Sequence, residues 1–161
     1  MGTEIERKFR LAEEPDWPAD CEHREIEQGY VAIEPGDGAE VRLRRAAGER
    51  FLTVKRGSGL TRGEDEIELT ESQFDALWPL TDGRRVVKTR YTVPHPGLTI
   101  EVDVFKGDLE GISTAEVEFE SEAASAEFDP PDWLGDEVTG DPRYANETLA
   151  VEGLPEEGDR G

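Results

Sequence analysis

Cysteine is nearly absent from this chain of 161 residues; Cys21 stands alone, which excludes an internal disulfide and any thiolate metal cluster. Histidine is almost as scarce. His23 lies close to Cys21 and His95 sits in a Pro-His-Pro-Gly turn, so these residues form no zinc-ligand set. Long apolar runs are missing too: nothing approaches the roughly 20 residues needed to span a bilayer. The opening Met1-Gly-Thr-Glu-Ile-Glu-Arg-Lys8 carries neither a signal-peptide core nor the Ser or Thr of a myristoylation signal. Positive charge is short as well, with 18 Lys and Arg against 39 Asp and Glu and a formal net charge of -21. Generic nucleic-acid binding and adhesion to anionic membranes both need a surplus of cations. Neither is expected, and a cytoplasmic location is.

What the chain does have is alternation. Thr3–Leu11 sets Glu4, Glu6, Lys8 and Arg10 against Ile5, Arg7, Phe9 and Leu11, which reads as a strand. Further strands are predicted at 24–33, 39–47, 50–57, 62–69, 84–93, 98–105 and 113–121, separated by turns such as Pro35-Gly36-Asp37-Gly38, Gly57-Ser58-Gly59 and Asp82-Gly83. Eight strands with hairpin-length connections imply a mostly antiparallel sheet. Helices are few. Thr70-Glu71-Ser72-Gln73 has the form of a capping box ahead of Phe74, Leu77 and Trp78, with Pro79 as a limit. Glu122–Phe128 is a second short helix, and Asp141-Pro142 starts a third over 143–151. Trp17, Trp78 and Trp133 read as packing residues. The fold class is α+β, with residues 1–155 as one domain and 156–161 as a frayed tail.

Side chains at i and i+2 share a strand face. Single faces here collect Glu4, Glu6, Lys8 and Arg10; Arg42 and Arg44; Phe51, Thr53 and Lys55; Glu64, Glu66 and Glu68; Lys88 and Arg90; Glu101 and Asp103; and Glu116, Glu118 and Glu120. A half-exposed sheet accounts for any one of them as a solvated face. It accounts less well for all of them, because rows such as Glu116, Glu118 and Glu120 repel unless a cation sits among them. A sheet curled shut with these faces inward, an eight-stranded antiparallel closed barrel with short helices packed outside, explains the set and removes the exposed edges.

At this point the chain resembles a known family. Glu4-Ile-Glu-Arg-Lys8 matches the ExExK signature of the CYTH, or triphosphate tunnel metalloenzyme, superfamily. Gln28-Gly-Tyr30, Val41-Arg-Leu-Arg44, Thr53-Val-Lys55, Arg62-Gly-Glu-Asp-Glu66, Gly83–Tyr91, Glu101–Phe105 and Ala115–Phe119 follow in family order. The match is best to its short bacterial inorganic triphosphatases. The resemblance implies metal-dependent hydrolysis of inorganic triphosphate to pyrophosphate and phosphate. Nucleoside or thiamine triphosphate hydrolysis, a CYTH-type adenylate cyclase and a non-catalytic polyphosphate-binding module remain as alternatives.

It also implies roles. Lys8, Arg42, Arg44, Lys55, Lys88 and Arg90 would grip phosphate oxygens, the arginines by paired hydrogen bonds and the lysines as point charges. Arg85 ranks lower, being on the opposite strand parity from Lys88. Glu4, Glu6, Glu116 and Glu118 would hold Mg²⁺ or Mn²⁺, with Asp103 and Glu101 as further ligands, because such cations prefer hard oxygen donors. Glu64 and Glu66 would steer substrate or the attacking water. Tyr30, paired with a lysine, would activate that water; Lys8 is the first choice, and its ammonium is expected to lower the tyrosine pKa. A small-molecule polyphosphate is the expected partner, and a homodimer is a candidate assembly.

Overall fold

In the computed structural model of the chain, the described residues are 2–11, 21–34, 39–57 and 60–155. The expected turns at 35–38 and 58–59, the tail at 156–161 and Trp17 lie outside them. Among the described residues nine strands form one antiparallel sheet: β1 (Gly2–Leu11), β2 (Glu22–Ile33), β3 (Ala39–Ala46), β4 (Glu49–Arg56), β5 (Thr61–Glu68), β6 (Arg85–His95), β7 (Leu98–Phe105), β8 (Ser113–Glu118) and β9 (Leu134–Glu137). Their order is β5-β4-β3-β2-β6-β7-β8-β1-β9, and β5 also pairs with β1. That last pairing closes β1–β8 into the expected eight-stranded barrel. The sequence did not announce β9, a four-residue strand that follows Pro130-Pro131. It pairs with Phe9 and Leu11 of β1, beyond the Gly2–Ile5 stretch that pairs with β5.

The register keeps one set of alternating positions together around the ring. Lys8 faces Glu116, Glu116 faces Glu101, Arg90 faces Asp103 and Arg24, Gln28 faces Arg44, Arg42 faces Thr53, and Lys55 faces Glu64. One irregularity between Tyr30 and Ala32 breaks simple parity, so Ile33 rather than Ala32 joins Glu40 on the inner side.

Apolar residues of the opposite parity supply the outer core. Phe9, Ile100, Val102, Ala115 and Val117 are buried with Phe119 and Leu134, beside α2 (Glu122–Glu127) and β9. Leu43 and Leu69 are buried with Phe74 of α1 (Glu71–Leu77), whose capping box forms as expected: Thr70 Oγ1 accepts from the Gln73 amide and Gln73 Oε1 from the Thr70 amide. Burial of such side chains stabilises by about 1.5–3 kcal/mol each. The fold therefore rests on the outside of the barrel rather than on its charged inside.

The third helix departs from expectation twice. Asp141 does cap, but it caps a 3-10 turn at Pro142–Tyr144, and α3 begins again at Asn146 and runs to Glu152. Nor does α3 pack outside. Its Leu149 is buried with Val86, Phe105 and Leu109. Val86 and Phe105 share the inner parity with Gln28 and Lys88, so this helix stops one end of the bore with apolar side chains. Among the described residues no helix is long and apolar enough to cross a membrane.

Gly29 sits where β2 crosses the 3-10 turn Trp78–Thr81, and a Cβ there would lie 2.5 Å from Thr81 Cβ. Thr81 is fully buried and its hydroxyl bonds both the Trp78 carbonyl and Arg85 Nε, so it has no room to retreat. Gly29→Ala is expected to destabilise the fold by about 1–3 kcal/mol in urea unfolding; an unchanged midpoint would contradict the close crossing.

Candidate functional site

The bore contains a cavity of about 540 Å³. Its lining includes Glu4, Glu6, Lys8, Tyr30, Arg42, Arg44, Lys55, Glu64, Glu66, Arg90, Glu101, Glu116 and Glu118, so most residues singled out in the sequence converge on one space. Two do not line it. Asp103 is fully buried and both its oxygens are taken: Oδ1 accepts from Arg90 Nε at 2.7 Å, while Oδ2 meets Arg90 NH2 at 2.9 Å and Lys88 Nζ at 2.8 Å. It lies behind the wall as the brace of two cations rather than as an open ligand. Lys88 is equally buried, and its ammonium also donates to Asn146 Oδ1 at 3.0 Å.

Charge is divided between two halves of the ring. Neighbouring strands β7, β8, β1 and β5 carry Glu101, Glu116, Glu118, Glu4, Glu6, Glu64 and Glu66. The other four neighbours, β4, β3, β2 and β6, carry Lys55, Arg42, Arg44, Arg24, Lys88 and Arg90. Ion pairs stitch the seams. Lys55 Nζ reaches Glu4 Oε1 at 3.0 Å across one, and at the other Arg90 holds Asp103 and lies 3.5 Å from both Glu101 and Glu116. The exceptions neutralise each other or meet the plug: Arg62 on the acidic half bonds Glu40 on the basic half, and Lys8 Nζ donates to the Tyr144 carbonyl.

On the basic half Arg42 and Arg44 remain without a carboxylate, as does the exposed Arg24 among the described residues. Among the described residues Arg42 and Arg44 form no ion pair; Arg42 Nε is buried with no hydrogen-bond partner, and Arg44 donates only to Gln28 Oε1, at 3.0 and 2.8 Å. Burial and the adjacent charges of Arg42 and Arg90 push the Arg44 pKa down. A guanidinium keeps its proton regardless, so the repulsion there is of the kind an anion would offset.

The carboxylates report the opposite excess. Burial, then Glu116 and Glu4, drive Glu6 well above its ordinary value. Glu118 is raised by burial, Glu4 and Glu101. Glu64 is pushed up to about 7 by burial and by its hydrogen bond and charge contact with Glu4. Glu4 itself is held down, since Lys55 and the proton of Glu64 outweigh its burial. Burial also acts to raise Glu116, but Arg90, Lys8 and Lys88 win and hold it well below the usual range. Hard oxygen donors that repel one another in this way suit a divalent cation. Among the described residues no three of them are gathered closely enough to enclose an ion unaided.

Tyr30 faces the cavity, but its surroundings differ from those expected. Its hydroxyl accepts from Gln28 Nε2 at 3.0 Å, and burial together with Glu40 raises its pKa above the ordinary tyrosine value; the cations that oppose this are Arg42 and Arg44, not Lys8. Glu40, Arg62, Arg24, Asn146 and Glu147 also belong to the site. Glu40 shares a face with Arg42 and Arg44 and could have been read from the alternation. Asn146 and Glu147 arrive on α3 and leave no period-two signal.

With this geometry in place, the comparisons fall on one family. A model of the CYTH domain matches residues 2–149. The chain is 48% identical over 92% of its length to an inorganic triphosphatase of Nitrosomonas europaea, covering 97% of that protein. It is 37% identical to one of Acetivibrio thermocellus, with 92% of this chain and 94% of that protein covered. Among solved structures it is similar to a crystal structure of an inorganic triphosphatase, with a TM-score of 0.69 and 45% identity over 96% of this chain and 99% of that one. A bore with one acidic and one basic half, a plugged end and a match across nearly the whole sequence all agree: this chain belongs to the CYTH domain family.

Proposed function

We propose that this chain hydrolyses inorganic triphosphate to pyrophosphate and phosphate inside its bore, with a divalent cation, Mg²⁺ or Mn²⁺, on the acidic half. The carrying observation is the split ring, in which uncompensated arginines face mutually repelling carboxylates across one cavity. A polyphosphate with a bound cation is the ligand that satisfies both halves together. The named activity of the two curated relatives supports the same substrate.

Arg42 and Arg44 are the first grip on the phosphate chain, since no carboxylate among the described residues pairs with them. Lys8, Lys55 and Arg90 line the same space and add charge, while Lys88 acts from behind the wall. Glu4, Glu6, Glu116 and Glu118 would hold the cation, with phosphate oxygens and water completing its shell, as is usual for Mg²⁺. That ion would neutralise charge developing on the transferred phosphoryl group. Glu64 and Glu66 line the cavity and would steer substrate or the attacking water, and Thr53 fixes Glu66 by donating to Oε2 at 2.9 Å. Phosphoryl transfer depends mainly on positioning and charge neutralisation, so the reaction does not require Tyr30 as a phenolate. The plugged end limits how much chain can enter, which favours short polyphosphates.

Phosphate release from triphosphate is expected to exceed release from ATP, to stop with EDTA and to return with Mg²⁺ or Mn²⁺. Glu116→Gln is expected to lower that turnover by more than about 100-fold, the upper end for loss of a group that merely supports a metal ligand, while the protein still melts cooperatively. A metal-responsive, active variant would overturn the ligand assignment.

Glu64 gives a pH test. Its folded pKa lies above its unfolded value, so the folded state binds the extra proton between about 4.5 and about 7. Stability therefore falls as pH rises through that window without metal, and the penalty persists above it. Glu64→Gln removes the titration, so its melting temperature should gain on the original chain between pH 5 and pH 8 in EDTA. A constant difference across that range would refute the repulsion.

A further inference from the structure

Gln28 has no part in the function proposed above, yet it is fully buried at the floor of the bore and all its polar atoms are committed. On β2 it faces Arg44 of β3 across the ladder and lies two residues before Tyr30. Its Oε1 accepts from Arg44 Nε at 3.0 Å and NH2 at 2.8 Å, and its Nε2 donates to the Tyr30 hydroxyl at 3.0 Å.

The direction of this relay follows from chemistry. A guanidinium has five donors and no acceptor, so the amide must turn its oxygen toward Arg44. The amide nitrogen then faces Tyr30 and can only donate, which leaves the phenol oxygen as the acceptor. An accepting phenol sends its own proton elsewhere, and among the described residues the Tyr30 hydroxyl has no protein acceptor for it. Tyr30 lines the cavity, and so does its cross-strand neighbour Arg42, whose guanidinium has no ion-pair partner among the described residues. An oxyanion placed there would satisfy both donors.

We propose that Gln28 is a positioning residue that, anchored by Arg44, fixes the Tyr30 hydroxyl as a hydrogen-bond donor to a phosphate oxygen of the substrate. Tyr30 in this role recognises charge on the phosphate chain and does not take a proton from water. The inference rests on the polyphosphate reading of the cavity, and its test separates the two.

Gln28→Glu keeps an acceptor for Arg44 but removes the donor to Tyr30, so the new carboxylate draws the phenol proton toward itself. Gln28→Met, of similar shape, removes both bonds. Each is measured alone and combined with Tyr30→Phe, by steady-state phosphate release from triphosphate. Tyr30→Phe and Gln28→Glu are each expected to lower kcat/KM by about tenfold or more, as for a hydrogen bond to a charged acceptor. The combined variant should fall no further than Tyr30→Phe alone, and Gln28→Met should likewise cost less in the Tyr30→Phe background. Gln28 acting only by holding Arg44 would instead impose its full penalty whether or not the phenol is present, and that result overturns the proposal. So does Gln28→Glu activity within twofold of the original chain. A chain with no triphosphate turnover would sink the functional reading alone; calorimetric titration of the same variants with tripolyphosphate then decides the positioning claim by the same coupling.

Discussion

Closing a sheet commits every second residue of each strand to the bore, and in this chain many of those residues are charged. Buried charges are costly unless they are paired or bound. The ring answers this by arrangement rather than by avoidance. Like charges are grouped on neighbouring strands, opposite charges meet at the two seams, and the middle of each half stays uncompensated. Lys55 with Glu4, and Arg90 with Asp103, hold the seams. Arg42 and Arg44 remain on one side, and Glu6, Glu118 and Glu64 on the other, each displaced from its ordinary protonation by its own neighbours or left without a partner.

Such a bore contributes little to stability, so the barrel is held from outside and from one end. Apolar faces of β1, β7 and β8 pack with α2 and β9, and α1 covers Leu43 and Leu69. At the end of the bore, Leu149 meets Val86 and Phe105. The same segment sends Asn146 to Lys88 and the Tyr144 carbonyl to Lys8. One stretch of chain thus seals the bore and fixes two of its lysines, which couples closure of the fold to the shape of the site.

Most of the wall was legible because the strand period is two and the charges obey it. Alternation put Glu4, Glu6 and Lys8, Arg42 and Arg44, and Glu116 and Glu118 on shared strand faces, and closure of the sheet brings those faces together. Gln28 was legible only as part of the Gln28-Gly-Tyr30 block and without a role, because charge alternation passes over a neutral amide whose importance lies in the direction of its hydrogen bonds. Asp103 was misjudged for a related reason. Alternation gives a residue its face but not its depth, and Asp103 lies under Arg90 and Lys88 instead of beside the cavity. The lowered tyrosine pKa failed because sequence does not reveal how deeply Tyr30 is buried or that Glu40 stands by it. β9 left no trace, since a four-residue strand resembles ordinary loop chemistry, and the third helix was legible as a helix over 143–151 but not as one that enters the bore.

The central claim is that one enclosed space holds a metal on its acidic half and a phosphate chain on its basic half. Diffraction from crystals soaked with Mn²⁺ and a non-hydrolysable triphosphate analogue tests it most directly. The anomalous peak is expected among Glu4, Glu6, Glu116 and Glu118, with phosphate density against Arg42 and Arg44. Manganese and phosphate on the outer surface of the barrel, with the bore filled only by water, would contradict the account.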